Sequence, residues 1–276
     1  MALPTDFHFS QGNLQDYVDC ARRFQLRYLL QVAWPAVESE PVLENERYVQ
    51  QGAAFHRLVH QHALGIPAAP LSGGVSGDDL RRWWRHYLES GPAQLPSSRV
   101  PEIVLSTPLA GYRLLAMYDL VAVDVGERAV IVDWKTSRRR PSRAWLAERQ
   151  QTRVYPYVLV HAGEELNGGR PLSPEQVRML YWFADYPADP ETFLYDAAQY
   201  EQDEDHLVSL VEEIAGLDEA SFALTSNEAL CRFCPYRSLC QRGAQAGDIS
   251  EAQDEAEQTE AQELFLDFEQ IAEIEY

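Results

Sequence analysis

Asp133 and Lys135 stand two residues apart at the end of a β-branched run, and Lys135 is the only lysine among 23 lysine and arginine residues. Side chains two residues apart on a strand share a face. A carboxylate placed there can hold a divalent cation while the neighbouring ammonium faces a substrate anion. Arginine replaces lysine as a solvated charge, but not where a compact point charge is needed. The pair indicates a candidate catalytic site, although an ordinary ion pair on a solvated strand face would have the same residues.

A second carboxylate, Asp119, lies on the preceding strand-like run, with Gly126 and Glu127 as turn material before Asp133. A two-residue loop would place Asp119 opposite Trp134, on the wrong face, whereas an odd-numbered loop or a bulge would place it opposite Asp133. We predict the odd loop or bulge. Two carboxylates that face each other in a half-buried sheet repel unless a cation neutralises them. Mg²⁺ suits such a site, because it binds a few carboxylates, several waters and phosphate oxygens.

Two helix-like segments carry polar pairs at a spacing of four residues, which places each pair on one helix face. His56 and His60 could be a metal pair, although a surface histidine or a hydrogen-bonded core histidine is the commoner case. Gln151 and Tyr155 could reach a nucleotide backbone through an amide and a phenol. Neither pair identifies a function by itself.

The chain has four cysteines: Cys20, and a group of three within ten residues, Cys231, Cys234 and Cys240. The spacing of the three is typical of metal ligands, and a fourth ligand would have to come from Cys20. Such a site would tie the N-terminal helix to the C-terminal segment. Four thiolates suit a 4Fe–4S cluster or a structural zinc ion, and free thiols are the third alternative. Zinc sites usually have two short cysteine pairs, so an arrangement of one plus three favours the cluster.

The charge of the chain is unevenly distributed. The formal net charge is −20, and residues 243–276 contain 11 of the 43 acidic residues and no basic one. Residues 128–153 instead contain eight basic and two acidic residues, which is either a solvated helix face or an anion site. Residues 264–276 have apolar side chains at helical spacing among acids. We predict a tail that docks on a partner or folds back onto the basic cluster, with a solvated solubility tail as the alternative.

The pattern of apolar residues predicts groups of helices and strands. Helices are expected over residues 13–30, 44–65, 78–89, 143–162 and 201–217. Strands are expected over residues 101–107, 111–125, 128–135, 177–186 and 192–196. This order predicts a mixed α/β fold. The chain has no phosphate loop of the nucleoside-triphosphatase type. Its apolar runs are too short to cross a bilayer and its first residues do not have the pattern of a secretion signal, so we expect a cytoplasmic protein.

The order of these features resembles the RecB/AddB-type nucleases of the PD-(D/E)XK superfamily, in the branch that carries an iron–sulfur staple. The CRISPR-associated RecB-like exonuclease belongs to the same branch. Asp133, Trp134 and Lys135 resemble the D/E-x-K motif. The other matches are the first-cysteine segment from Phe9 to Phe24, the histidine helix from Gly52 to His56, the second motif Tyr118-Asp119-Leu120, the Q-x3-Y helix at Gln151 and Tyr155, and the cysteine triplet. The resemblance runs from about Phe9 to Arg242.

The resemblance implies a role for each matching residue. A Mg²⁺ or Mn²⁺ ion would be bound by His56, Asp119, Asp133 and the Trp134 carbonyl oxygen. Lys135 would orient the attacking water or neutralise charge that develops on the phosphate. The DNA-binding residues would be Gln151, Tyr155, Arg138, Arg139, Arg140 and Arg143. The 4Fe–4S cluster would be held by Cys20, Cys231, Cys234 and Cys240.

The resemblance also implies the architecture and the function. The fold would be a PD-(D/E)XK restriction-endonuclease-like core, a mixed sheet flanked by helices, with an Fe–S staple joining the N- and C-terminal segments. Residues 1–242 would form the nuclease domain and residues 243–276 an acidic tail. The expected function is a metal-dependent DNA exonuclease that acts on single strands or ends in repair or recombination, with a helicase or another repair protein as partner. The alternatives are a CRISPR-adaptation nuclease that trims spacers, and a catalytically idle DNA-end-binding scaffold.

Overall fold

The computed structural model describes residues 3–32, 42–232 and 234–243. Its strands are β1 (His8–Ser10), β2 (Ser98–Leu109), β3 (Tyr112–Asp124), β4 (Arg128–Lys135), β5 (Val177–Phe183) and β6 (Glu191–Leu194). Its α-helices are α1 (Gln11–Asp19), α2 (Ala21–Phe24), α3 (Val42–Ala63), α4 (Ala68–Gly73), α5 (Asp78–Ser90), α6 (Arg143–Glu148), α7 (Gln150–Ala162) and α8 (Ala197–Gly216). A π-helical turn spans Gln25–Leu29, and 3₁₀ turns span Glu165–Asn167, Pro174–Gln176 and Glu228–Cys231.

The sheet is mixed, and β3 pairs with three of its other strands. β2 pairs with β3 in antiparallel orientation over nearly the whole of both strands. The other edge of β3 binds two strands, β1 in parallel orientation near the start of β3 and β4 in antiparallel orientation near its end. β4 then pairs with β5 in parallel orientation, and β5 pairs with β6 in antiparallel orientation. A mixed sheet flanked by helices confirms the fold class predicted from the sequence.

Both faces of β4 are covered by helices. On one face Ile131 lies in a core that also contains residues of α1, α7 and α8. On the other face Val132 and Trp134 lie in a core with residues of α3 and α5. A strand that is buried on both faces is apolar at nearly every position, which explains the continuous apolar run of this strand. Asp133 and Lys135 are therefore exceptions, and their polar groups need partners.

The structure divides two helices that the apolar periodicity predicts as continuous. The segment 13–30 breaks at Cys20, whose backbone is extended (φ −163°, ψ 104°), into α1, α2 and the π-helical turn. The segment 143–162 breaks at Arg149 (φ −73°, ψ 141°) into α6 and α7. Apolar residues on both sides of each break pack against the same core. The periodicity therefore continues across the breaks and does not reveal them.

The predicted acidic tail lies outside the described residues, except for Gly243. The predicted division into a nuclease domain and a tail therefore stays a prediction. Within the described ranges, no helix is both long enough and apolar enough to cross a membrane.

Candidate active site

The hairpin of β3 and β4 places the two candidate aspartates opposite each other. Asp124 pairs with Arg128, which leaves a three-residue loop between the strands. Extending this register along the hairpin brings Asp119 opposite Asp133. The loop therefore has an odd number of residues, and the prediction from the sequence is confirmed. Gly126 at its centre has a left-handed backbone (φ +78°), which glycine adopts without strain.

Asp119 is held between α3 and β4. Its Oδ1 lies 3.2 Å from His56 Nδ1, and its Oδ2 accepts a 2.8 Å hydrogen bond from the backbone N–H of Trp134. Burial opposes ionisation of Asp119, but the adjacent His56 imidazole, the Trp134 N–H and the Lys135 ammonium together outweigh burial and lower the pKa of the carboxyl group. Burial alone would lower the pKa of His56, and the Asp119 carboxylate raises it instead. The contact thus keeps Asp119 ionised, as a cation ligand must be.

Gln151, the second residue of α7, bridges the carboxylate and the ammonium of the β4 pair. Its Nε2 donates a 2.6 Å hydrogen bond to Asp133 Oδ1, and its Oε1 accepts a 3.0 Å hydrogen bond from Lys135 Nζ. Lys135 Nζ also lies 3.0 Å from Asp133 Oδ2. Asp133 and Lys135 share one face of the strand, as predicted. The sequence assigned Gln151 to a nucleotide backbone, whereas in the structure its amide is bound to the acidic and basic side chains themselves.

The chemistry of these side chains fits a hard divalent cation. Burial raises the pKa of Asp133 to about 6, and the negative charge of Asp119 acts in the same direction, against the opposing effect of Lys135. Asp133 Oδ2 is buried, and Lys135 Nζ lies 3.0 Å from it. A buried and a partly buried carboxylate beside an imidazole are a donor set that a divalent cation would stabilise. Within the described residues, no three His, Cys, Asp or Glu side chains are placed to hold a metal ion as they stand.

Tyr155 and Trp134 form the surroundings of these polar groups. Tyr155 lies one helical turn after Gln151, is buried, and has its ring centroid 4.9 Å from that of Tyr118. The Tyr118 hydroxyl donates a 2.9 Å hydrogen bond to the Tyr155 carbonyl oxygen. The indole of Trp134 is buried on the other face of the sheet, 5.7 Å from the ring of Trp182. These rings fix α7 against β3 and β4 against β5.

The four arginines that follow β4 have different surroundings. Arg140 and Arg143 both form ion pairs with Glu191 of β6. Arg138 and Arg139 are exposed, and the Arg138 guanidinium lies 4.4 Å from the centre of the Tyr48 ring. Arg140 and Arg143 would have to release Glu191 before they could bind a phosphate. Two of the four predicted phosphate-binding arginines are therefore paired with a carboxylate of the protein itself.

Two contacts that secure the site have no counterpart in the sequence motifs. The Tyr48 hydroxyl of α3 donates a hydrogen bond to the carbonyl oxygen of Thr136, the residue after Lys135. The Gln15 side chain of α1 accepts a hydrogen bond of 3.0 Å from the backbone N–H of Gln150. The two pairs are 88 and 135 positions apart in the sequence, respectively, so no local pattern could have identified them.

The four cysteines converge although they come from opposite ends of the described chain. Cys20 follows α1, and the triplet lies in turns that follow α8. Burial raises the pKa of Cys231, Cys234 and Cys240, in the case of Cys234 to about 11, and the electrostatic influence of Cys20 adds to the increase at all three. All four are partly buried free thiols. Their convergence suits a four-thiolate site, although the described thiols as they stand do not form one.

A sequence profile of the PD-(D/E)XK nuclease superfamily matches residues 8–241. This range contains every candidate site residue described above. No curated protein matches the chain.

Two solved structures are similar to this chain at low sequence identity. The crystal structure of SSO0001 is 14% identical and has a TM-score of 0.43, over 86% of this chain and 87% of that chain. The structure of the Eubacterium rectale protein named "Putative exonuclease" is 9% identical and has a TM-score of 0.46, over 75% of this chain and 79% of that chain. Neither likeness is close enough to carry an argument about function.

Proposed function

Because the chain belongs to the PD-(D/E)XK nuclease superfamily, we propose that it is a metal-dependent DNA exonuclease of the RecB/AddB type. It would act on single strands or strand ends in repair or recombination. Nucleases of this superfamily generally use divalent metal ions. The observation that carries the proposal is the placement of Asp119 opposite Asp133, beside the only lysine of the chain.

The proposed mechanism assigns binding and positioning to named groups. The cation would be Mg²⁺ or Mn²⁺, and its protein ligands would be His56, Asp119, Asp133 and the Trp134 carbonyl oxygen. When bound, the ion would acidify a water molecule and stabilise negative charge on the phosphate. Lys135 Nζ lies 3.0 Å from oxygens of both Asp133 and Gln151, so its ammonium is held where it can orient the attacking water or neutralise charge on the phosphate. Gln151 fixes the separation of the ammonium from the carboxylate.

The DNA strand would lie along the N-terminal end of α7 and the segment after β4. Arg138 and Arg139 are exposed on that segment and follow Lys135 closely, so their guanidinium groups would contact phosphates. Tyr155 is buried and would act by holding α7 rather than by contacting bases. Arg140 and Arg143 would join the phosphate contacts only where DNA displaces Glu191.

The four cysteines would hold a 4Fe–4S cluster. The support is the electrostatic influence of Cys20 on all three triplet thiols, which lie more than 200 positions away in the sequence. Burial raises the pKa of the triplet thiols, so metal would be needed to keep all of them as thiolates at neutral pH. The cluster would then fasten the end of α1 to the segment that follows α8.

The proposed activity is tested with protein purified without oxygen. We expect end-labelled single strands to be degraded with Mg²⁺ or Mn²⁺ and to remain intact with a chelator. Asp119→Asn should remove cleavage. Asp124→Asn is the matched control on the same strand, because its carboxylate binds Ser97 and Arg128 at the far end of the hairpin. DNA that is bound but not cleaved with either metal would instead identify a catalytically idle end-binding scaffold.

We propose the acidic tail, residues 243–276, as a docking element for a partner such as a helicase. Fold-back onto the basic cluster is less favoured, because Arg140 and Arg143 already bind Glu191. Deletion of the tail is expected to leave the affinity for single-stranded DNA unchanged at every salt concentration. A gain in affinity at low salt that shrinks as salt rises would indicate fold-back, because salt screens that competition.

A further inference from the structure

Helix α7 begins without a cap from its own segment. Its N-cap residue, Arg149, makes no side-chain hydrogen bond to the first turn. The backbone N–H of Gln150 points to a different helix, where Gln15 Oε1 of α1 accepts it at 3.0 Å. Both glutamines are buried, with 6% of Gln15 and 2% of Gln150 exposed. A buried N–H without this acceptor would be costly, so Gln15 serves as the cap of α7 from outside.

The orientation of the Gln15 amide is determined by a carboxylate. Gln15 Nε2 donates a 2.9 Å hydrogen bond to Asp19 Oδ1, one helical turn further along α1. An ionised carboxylate only accepts hydrogen bonds, so the other end of the amide must be the oxygen that faces α7. Arg23 holds the second oxygen of Asp19 at 2.9 Å. Arg23, Asp19, Gln15 and the Gln150 N–H are therefore linked by consecutive polar contacts, and Asp19 is the residue before Cys20.

Gln150, whose N–H is capped, is adjacent to the residue that binds Asp133 and Lys135, the proposed catalytic pair. Gln151 follows Gln150 and holds Asp133 at 2.6 Å and Lys135 at 3.0 Å. The side chain of Gln150 is itself bound, with its Oε1 3.2 Å from His206 Nε2 of α8. Since the first turn of a helix lacks intrahelical acceptors for its N–H groups, it frays unless it is capped. Fraying of this turn would move Gln151 and release the ammonium of Lys135.

We propose that Gln15 is a positioning residue for DNA cleavage, which caps α7 and thereby holds Gln151 against Asp133 and Lys135. This inference rests on the proposed nuclease function. It gives the N-terminal segment a role in catalysis besides its role in the cysteine site.

The test compares Gln15→Leu with Gln25→Leu. Gln25 is also buried in the same N-terminal segment, but its Nε2 donates to the Glu219 carbonyl oxygen at 2.7 Å instead of orienting a cap of α7. We expect Gln15→Leu to lower kcat about 10- to 100-fold with little change in KM, because misplacement of a catalytic group by about 1 Å has effects of that size. Gln25→Leu should lower Tm as much as Gln15→Leu does, but it should leave kcat unchanged. Equal kcat values for the two variants would overturn the proposal.

Rescue distinguishes the hydrogen bond from packing. The double variant Gln15→Glu/Asp19→Asn keeps an oxygen acceptor for the Gln150 N–H and exchanges donor and acceptor in the contact between positions 15 and 19, so the net charge is unchanged. Its kcat should lie within a few-fold of the unmodified protein. A double variant as slow as Gln15→Leu would contradict the proposed cap.

Amide hydrogen exchange provides a readout that does not depend on activity. The Gln150 N–H is expected to exchange slowly in the unmodified protein, in Gln25→Leu and in Gln15→Glu/Asp19→Asn, but quickly in Gln15→Leu, which lacks the acceptor. Fast exchange of this amide in the unmodified protein would overturn the proposal even if Gln15→Leu failed to fold. If the unmodified protein cleaves no DNA, the proposed function fails, while the exchange comparison still decides whether Gln15 caps α7.

Discussion

Lys135→Arg is expected to lower the turnover of DNA cleavage by about 100- to 1,000-fold, the usual effect of removing one donor aimed at developing charge. Lys135 Nζ lies 3.0 Å from Asp133 Oδ2 and 3.0 Å from Gln151 Oε1, and 13% of the side chain is exposed. A guanidinium carries the same charge, but its planar fork is too wide to occupy a point between two oxygens. Lys135→Ala should be at least as slow, because it removes the charge altogether.

Turnover is measured on end-labelled single strands with saturating Mg²⁺ or Mn²⁺, and DNA affinity is measured with a chelator present. Affinity and Tm should change little, because Lys135 acts on the reacting phosphate. Arg128→Lys is the matched control, a reciprocal exchange at the other end of β4, where the Arg128 side chain binds Asp124 at 3.0 Å. Near-normal turnover of Lys135→Arg would contradict the role proposed for the lysine.

Cys20→Ser and Cys234→Ser are each expected to remove bound iron and to lower Tm by about 10–20 °C, since a clip across a loop of this length contributes several kcal/mol. The unmodified protein should be brown when purified without oxygen and contain about four irons per chain. Either substitution would remove one thiolate of the proposed four-cysteine site, so either should open the proposed clip between α1 and the segment after α8. Iron content, the visible absorption spectrum and thermal unfolding measure these effects.

The double variant Cys20→Ser/Cys234→Ser is the control for a shared site. If both cysteines hold one cluster, the double variant should be no less stable than either single variant, because the first substitution already removes the metal. Additive losses would show that the two cysteines act independently. A colourless protein with one zinc ion per chain would contradict the cluster and preserve the clip.

The sequence by itself determined the local parts of this site. Strand periodicity places Asp133 and Lys135 on one face, because that geometry depends only on their spacing along the chain. The facing position of Asp119 followed from a choice between even and odd loops within one short hairpin. The order of helices and strands predicted the mixed α/β class, since each element is recognised from its own residues. The role of Lys135 in cleavage stays a prediction.

Only the tertiary structure decided which distant groups meet. The positive charge of residues 128–153 indicated either a solvated helix face or an anion site, but composition does not reveal that β6 places Glu191 against Arg140 and Arg143. Apolar periodicity identifies the buried face of a helix but not the helix that packs on it. For this reason the helix breaks at Cys20 and Arg149 became visible only in the packed structure, as did the cap that joins Gln15 to α7. The hydrogen bond across 135 positions depends on how α1 lies against α7, and no spacing within either helix specifies that.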